Sequence, residues 1–430
     1  MNLLIAWIKR KFRWQLAAGV FFVLPATAQE TLTLERAYQL AEQHYPLIRQ
    51  RDLVKRTSGL TLDNIGKGYL PQLSINGQAS YQSEVTAVPV TLPGINTSPL
   101  SKDQYKITAD VSQVIYDGGS ISSQKKIQEV SSLIDDQKVS VDLYKVKDRI
   151  NTLYLGILLL DEQLRQTELV KKDIRLGIDK VAAQVRNGTS LRSNQQVMEA
   201  QLLQNDQRSI ELTSNRKGML DVLSLFLGQD LPANTVLQQP SIDPEYLTET
   251  INRPELKLFS FQDSLYKVQE RTIDARNRPR ASAFLQGGYG RPGLNMLKNN
   301  FDFFYIGGLR LNWNLGGFYT SKKEKKLLAL GQQMNGVQKD VFLFNTNTQL
   351  KQQQAELTKW QALINTDQAI IDLREKVKIA ANAQLENGVI TANDYLREVN
   401  AEDQARLQLI AHKLQLLQAQ INYQNISGNQ

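Results

Sequence analysis

Two long proline-free stretches constrain this chain more than any other feature. Residues 120–186 run for 67 positions and residues 318–386 for 69 without a proline, and the first has only Gly156 and Gly177 inside it. At about 1.5 Å per residue, a helix of that length reaches roughly 100 Å. Apolar residues in the first stretch recur at steps of three and four. Ile127, Val130 and Ile134 are followed by Val141 and Tyr144, then by Val146, Ile150, Leu153, Ile157, Leu160 and Leu164, and then by Ile174, Ile178, Val181 and Val185. This spacing is a coiled-coil seam with phase shifts. Val337, Val341, Phe344, Trp360, Ile364, Ile371 and Val377 stud the second stretch. Helices this extended cannot wrap a globular core, so the chain is elongated.

The chain is also written twice. Tyr45-Pro46-Leu47-Ile48 corresponds to Arg253-Pro254-Glu255-Leu256 at an offset of 208, and Leu70-Pro71-Gln72 to Arg278-Pro279-Arg280 at the same offset. Asp117-Gly118-Gly119 then matches Leu315-Gly316-Gly317 at 198, and Arg186-Asn187-Gly188 matches Glu386-Asn387-Gly388 at 200. Four matches in one order make coincidence improbable, and the change of offset falls in one loop. The first repeat covers residues 29–227: a helix, a hairpin over 69–117, the long helix 120–186, a turn at 187–190 and a helix over 191–227. The second covers 253–430, with a hairpin over 279–315, the long helix 318–386, a turn at 387–390 and a helix over 391–427. Residues 228–252, rich in Pro, Gln, Asn and Thr, read as a linker. The remaining helices are about half as long as the two long ones, so a pair stacked end to end matches one long helix.

Both hairpins alternate with period two, the mark of strands with one apolar and one wet face. Leu73, Ile75, Gly77, Ala79 and Tyr81 oppose Gln72, Ser74, Asn76, Gln78 and Ser80; Tyr105, Ile107, Ala109, Val111 and Ile115 oppose Lys106, Thr108, Asp110 and Ser112. Ala281, Ala283, Leu285 and Tyr289 oppose Arg280, Ser282 and Gln286, and Tyr305, Leu309, Leu311, Trp313 and Leu315 oppose Arg310, Asn312 and Asn314. Each segment has the length of a tilted transmembrane strand. Tyr69, Tyr81, Tyr116, Phe303, Phe304, Trp313, Phe318 and Tyr319 sit near segment ends, where an interfacial aromatic girdle belongs. Alternation alone fits equally a pair of hairpins on a soluble core. The long helices and the charged residues of the polar faces favour a membrane barrel with a wet lumen. Four strands leave two open edges, which lipid does not tolerate, and the smallest barrels have about eight strands. A trimer with twelve strands is the simplest closed solution.

Composition excludes other classes. There is no cysteine, which removes disulfides, thiolate metal sites and cysteine nucleophiles, and only two histidines, His44 and His412, stand far apart. The net charge of +8 includes Lys9, Arg10, Lys11 and Arg13, and without them +4 remains, which is no nucleic-acid footprint. Those four charges precede an apolar run, Leu16 to Leu24, and then Pro25-Ala26-Thr27-Ala28. That order reads as an export signal over residues 1–28, removed after Ala28, with a retained anchor as the alternative. No phosphate loop, dinucleotide fingerprint, nucleophile elbow or histidine pair is present, so no catalytic residue, metal site or cofactor is expected, and an enzyme is remote. The run Lys322-Lys323-Glu324-Lys325-Lys326, with Lys125-Lys126 in the first half, reads equally as a lipid-phosphate contact and as a solvated helix start.

Together these features resemble the TolC family of outer-membrane efflux conduits over essentially the whole mature chain. The residues that carry the resemblance are Thr33-Leu34-Glu35-Arg36-Ala37 with Tyr45-Pro46, and Tyr69-Leu70-Pro71. Ser112 to Gly119 and Leu311 to Gly317 look like the family's strand-to-helix turns, marked here by Asp117, Gly118, Gly119, Gly316 and Gly317. Asn387-Gly388 with Asn393-Asp394-Tyr395-Leu396 looks like its periplasmic tip. The resemblance implies a mixed α and transmembrane β fold: a homotrimeric 12-strand β-barrel, four strands per protomer, continued by a long α-helical coiled-coil barrel. It implies a passive, gated exit duct in the outer membrane of a Gram-negative bacterium, with its tunnel in the periplasm. The implied partners are outer-membrane lipid, a periplasmic adaptor and an inner-membrane pump, the adaptor docking at Asn187, Gly188, Asn387 and Gly388. Asp394 matches a position where relatives place an inward acidic ring, and a second acidic position is Arg397 here, so an Asp394–Arg397 pair would neutralise that ring. A conduit for protein secretion shares this architecture, and a secreted coiled-coil structural protein is the rival outside the class.

Overall fold

The structure is a computed structural model that describes residues 31–86, 100–241 and 250–429; the export segment read at 1–28 lies outside them. Among the described residues the order is α1 (Leu34–His44), α2 (Ile48–Gly66), β1 (Gln72–Tyr81), β2 (Asp103–Tyr116), α3 (Ser120–Arg186), α4 (Arg192–Leu227), α5 (Pro254–Arg276), β3 (Arg280–Arg291), β4 (Asp302–Asn312), α6 (Gly317–Glu386) and α7 (Ala392–Ser427). Helices α3 and α6, of 67 and 70 residues, are unbroken because neither contains a proline.

Half-length helices line the long ones. The first half of α3 packs on α2 and α5, where Val130 and Ile134 meet Val268, and its second half on α4 and α7. Helix α6 runs beside α5 and then α7. Two joints let the short helices stack end to end, and each uses a glycine. Gly228 ends α4 with φ 66°, and a Cβ there would lie 2.6 Å from the Cβ of His44, the last residue of α1, at the turn that leads into α2. Gly428 ends α7 with φ 82°, and its Cβ would lie 2.6 Å from the carbonyl carbon of Asn252, just before α5. A left-handed residue lacking Cβ therefore closes each helix and lets the next begin against it. At the first joint Tyr45 stacks on Phe226 at 5.9 Å, and at the second the Asn252 amide donates to the Ser427 carbonyl at 2.6 Å.

The main hydrophobic cluster lies beside these joints. Ile150, Tyr154 and Ile157 of α3, Leu220, Leu223 and Leu227 of α4, and Ala37 of α1 are almost wholly buried there. The segment after α4 is irregular but pinned: Leu32 and Leu237 form a parallel bridge, and Arg216 holds Asp161 and donates to the Thr235 carbonyl at 2.7 Å. The Tyr154 hydroxyl lies 2.6 Å from the carbonyls of both Leu32 and Gln238. Burial raises the Tyr154 pKa, so the group stays a neutral donor.

The four strands form one antiparallel sheet in the order β1-β2-β3-β4. Register aligns the alternation across all of them: Ile75 pairs with Ala109, Val111 with Leu285, and Ala283 with Leu309. One face is therefore largely apolar, interrupted by Gln113 and by the Asp103–Arg291 ion pair, and it is open, with Leu309 79% and Ile75 75% exposed. A soluble antiparallel sheet covers its apolar face; no described helix packs across this one. On the other face Asp110 accepts from Asn76 at 2.8 Å, from Thr108 at 3.0 Å and from Gln286.

Tyr154→Phe removes one buried hydroxyl while leaving the ring. It is expected to cost about 1–2 kcal/mol, because carbonyls of Leu32 and Gln238 lose a donor. The check is a lower unfolding midpoint with faster amide exchange confined to the segments around Leu32 and Gln238.

Candidate functional site

The two long helices end side by side in matching turns. Gly188 and Gly388 adopt φ 72° and 70°. In each turn the glycine amide donates back to a helical carbonyl (Val185 or Leu385, 3.1 Å), and the next amide, Thr189 or Val389, reaches Gln184 or Gln384 at 2.9 Å. This paired closure satisfies the last carbonyls of a helix and needs a left-handed residue, which glycine supplies without strain. Asn187 and Asn387 occupy the preceding cap positions with negative φ, −87° and −89°. The turns are bound to one another: Lys180 holds Glu386 and donates to Asn382 at 3.0 Å, and the Gln184 amide donates to the Leu385 carbonyl at 2.8 Å. Val389 and Leu191 project from the turns, 71% and 72% exposed.

The helices leaving the turns start differently. Leu191 begins α4 with no side-chain cap, whereas Thr391 and Asp394 form a reciprocal capping box on α7. The Thr391 hydroxyl accepts from the Asp394 amide at 3.2 Å, and the Asp394 carboxylate accepts from the Thr391 hydroxyl and amide at 2.7 and 3.2 Å. These bonds, led by the Thr391 hydroxyl and aided by the Arg397 charge, hold the Asp394 pKa below the usual carboxylate range. Arg397 makes its ion pair with Glu398, at 3.3 Å, and not with Asp394. The capping box was readable as Thr391-x-x-Asp394, and it has already claimed the carboxylate that an i, i+3 pair required.

Just behind the turns lies a polar layer that sequence reading missed. Lys378 of α6 bridges Asp173 of α3 at 2.8 Å and Glu402 of α7 at 2.7 Å, and Glu402 also accepts from Arg406 at 2.5 Å. Burial works against the charge on both Lys378 and Glu402, but their mutual bonds outweigh it, leaving the lysine pKa raised and the glutamate pKa lowered. Asp403, beside Glu402, accepts from Gln166 at 3.1 Å and Arg208 at 3.2 Å, yet burial dominates and raises its pKa. The partners lie too far apart in sequence for spacing to reveal them.

The strand-to-helix turns stand at the other ends of α3 and α6, a full helix length from the tips. Asp117 caps α3, accepting from the amides of Gly119 at 2.8 Å and Ile121 at 2.6 Å. Gly118 and Gly119 have φ 73° and 89°. Their counterparts Gly316 and Gly317 differ: Gly316 is right-handed, with its amide held by Asn314 at 3.0 Å, and Gly317 already lies within α6. Among the described residues no group of acidic or histidine side chains could hold a metal ion, and no helix is long and apolar enough to cross a membrane.

No family model and no curated protein matches the chain. Solved structures do match. The outer membrane protein VceC of Vibrio cholerae aligns with a TM-score of 0.64 at 12% identity, over 91% of this chain and 96% of that one. The Campylobacter jejuni outer membrane channel CmeC aligns at 0.62 and 12% identity, over 92% and 86%. The open state of the Neisseria gonorrhoeae outer membrane channel MtrE aligns at 0.63 and 13% identity, over 92% and 89%. The chain thus has the fold of TolC-family outer-membrane channels over 91–92% of its length.

Two glycines of similar backbone angle separate strain from collision. Ala at Gly188 would meet nothing within 4 Å, whereas Ala at Gly428 would strike the backbone of Asn252 and Arg253. Gly188→Ala is expected to cost about 1 kcal/mol, and Gly428→Ala clearly more. Unfolding midpoints of the two variants, measured side by side, check the order. The capping box carries a pH dependence. Because the folded pKa of Asp394 is lowered, its contribution is present above the ordinary aspartate pKa and fades as pH falls through the folded value. Protection of the first-turn amides of α7 should therefore fall in acid, and Thr391→Ala should lower it at neutral pH by about 1 kcal/mol.

Proposed function

We propose that this chain is one protomer of a homotrimeric outer-membrane exit duct. In it, β4 of each copy pairs with β1 of the next to close a 12-strand barrel, and the helices continue it as a tunnel. The observation that carries the reading is the sheet: its apolar face is open to its surroundings and its two edge strands have no partner among the described residues. Lipid would cover that face, and pairing between copies would remove both edges. The fold shared with outer-membrane channels supports the same reading.

In this reading the duct performs no chemistry. An inner-membrane pump supplies the driving force and a periplasmic adaptor connects it to the duct. The adaptor docks on the turns at Asn187-Gly188 and Asn387-Gly388, where exposed Val389 and Leu191 offer apolar contacts. Asp394 and Arg397 are the gate candidates. The capping box favours the charged form of Asp394, and three such carboxylates near an axis would repel one another and favour opening.

Membrane fractionation followed by native mass determination of the detergent-extracted particle tests this. The expected result is release by detergent but not by carbonate, with a mass near three chains. A soluble monomer or dimer would overturn the duct and leave a secreted coiled-coil protein as the better account.

A further inference from the structure

A cavity of about 320 Å³ lies where the sheet meets the helices, lined by Arg280 and Arg310 with Ser112, Ser282, Asn312 and Asp117. Arg280 pairs across the strands with Asn312, and Arg310 with Ser282, so the two arginines are diagonal neighbours on the polar face of the sheet. Diagonal neighbours on one face stand about 7–8 Å apart, close enough for like charges to repel. Among the described residues no carboxylate forms an ion pair with either; Arg310 lies over the Phe284 ring at 4.8 Å. Asp117 is the one carboxylate in the lining, and its two oxygens are taken by the amides of Gly119 and Ile121. A third arginine, Arg278, stands close by, packed against Gly118.

The other carboxylates sharing this face do not reach the arginines. Asp110 is held by Asn76, Thr108 and Gln286 further along the sheet. Asp302 pairs with Gly290 at the far end of β3 and β4. Trimer closure would not supply one either, because β1, which would lie beside β4 of the neighbouring copy, contains no charged residue.

From this we infer that the cavity is a binding site for small organic anions carrying carboxylate, sulfonate or phosphate groups. Its place on the polar face makes it a way-station for anionic cargo at the junction of barrel and tunnel; that role, though not the binding itself, rests on the duct reading above. Two guanidiniums without carboxylate partners match the paired oxygens of such groups through forked, charge-assisted hydrogen bonds. A volume of about 320 Å³ falls within the range of small-molecule sites. An anion between the arginines would also relieve their mutual repulsion.

The test is binding of a trisulfonated pyrene dye to the detergent-purified full chain, followed by fluorescence polarisation. Wild type is expected to bind saturably, and Arg280→Gln with Arg310→Gln together to weaken binding by about tenfold or more. Lys322→Gln with Lys323→Gln, which removes an equal charge outside the cavity, should leave affinity unchanged, and an uncharged dye of similar size should not bind. Equal affinity in the double arginine variant, or an equal loss in the lysine variant, overturns the inference. One chain supplies every lining residue, so dye binding reports on the cavity whatever the oligomeric state. A trimer without arginine-dependent binding defeats this inference alone, and a soluble monomer that binds the dye defeats the duct reading alone.

Discussion

The length of α3 governs the rest of this structure. A helix of 67 residues presents roughly 100 Å of surface, and no helix of ordinary length can cover it. An uncovered seam would leave Val130, Ile150, Tyr154, Ile174 and Val181 in water. Shorter helices must therefore be laid end to end along it, and each junction must satisfy the last carbonyls of one helix without pushing away the next. Gly228 and Gly428 do this at the two joints. The largest hydrophobic cluster sits at the same level, so the places where the columns are interrupted are also where the most apolar side chains are buried together.

The sheet follows a different constraint from the helices. Its residues obey period two closely enough that three pairings in register bring most of the apolar side chains to one face. Inside a soluble domain that face would be buried. Here Leu73, Ile75, Leu309 and Leu311 stay exposed, while the polar face ties itself together through Asp110. A sheet that gathers its polar groups on one side and leaves its apolar side open is matched to a solvent that is itself apolar.

The architecture was legible because it is written in local pattern. Strand alternation, proline-free helices and Asn-Gly turns are visible within a dozen residues, and the duplication made each reading check the other. What stayed hidden depends on which groups meet across space. The sequence offered Arg397 to Asp394 three positions away, but Thr391 was equally close and also had an amide to be satisfied, so the cap took the carboxylate and Arg397 turned to Glu398. Arg280 and Arg310 were readable only as part of a wet face. Their pairing register, which places them side by side with no carboxylate partner, exists only in the folded sheet.

The duplication also raises a problem that the polar layer behind the tips resolves. Two similar repeats invite pairing of like with like, which would scramble the order of the helical columns. At an offset of 200 residues, Lys180 corresponds to Ala380, Lys378 to Ile178 and Glu402 to Leu202. Lys180, Lys378 and Glu402 therefore each correspond to an apolar residue in the other repeat, and Glu386 corresponds to Arg186. The observed arrangement joins Lys180 to Glu386 and Lys378 to Asp173 and Glu402, and two of these three bridges cross between repeats. A second repeat folded against a copy of itself would put Leu373 where Asp173 stands and Ala380 where Lys180 stands, so Lys378 would keep Glu402 but both bridges between repeats would be lost. Glycine and asparagine keep the backbone of the two tips alike, while the charged positions behind them have diverged so that the two bridges between repeats form only between unlike halves. The hydrophobic seam is too repetitive to supply that discrimination, since its Val, Ile and Leu residues would pack in either arrangement.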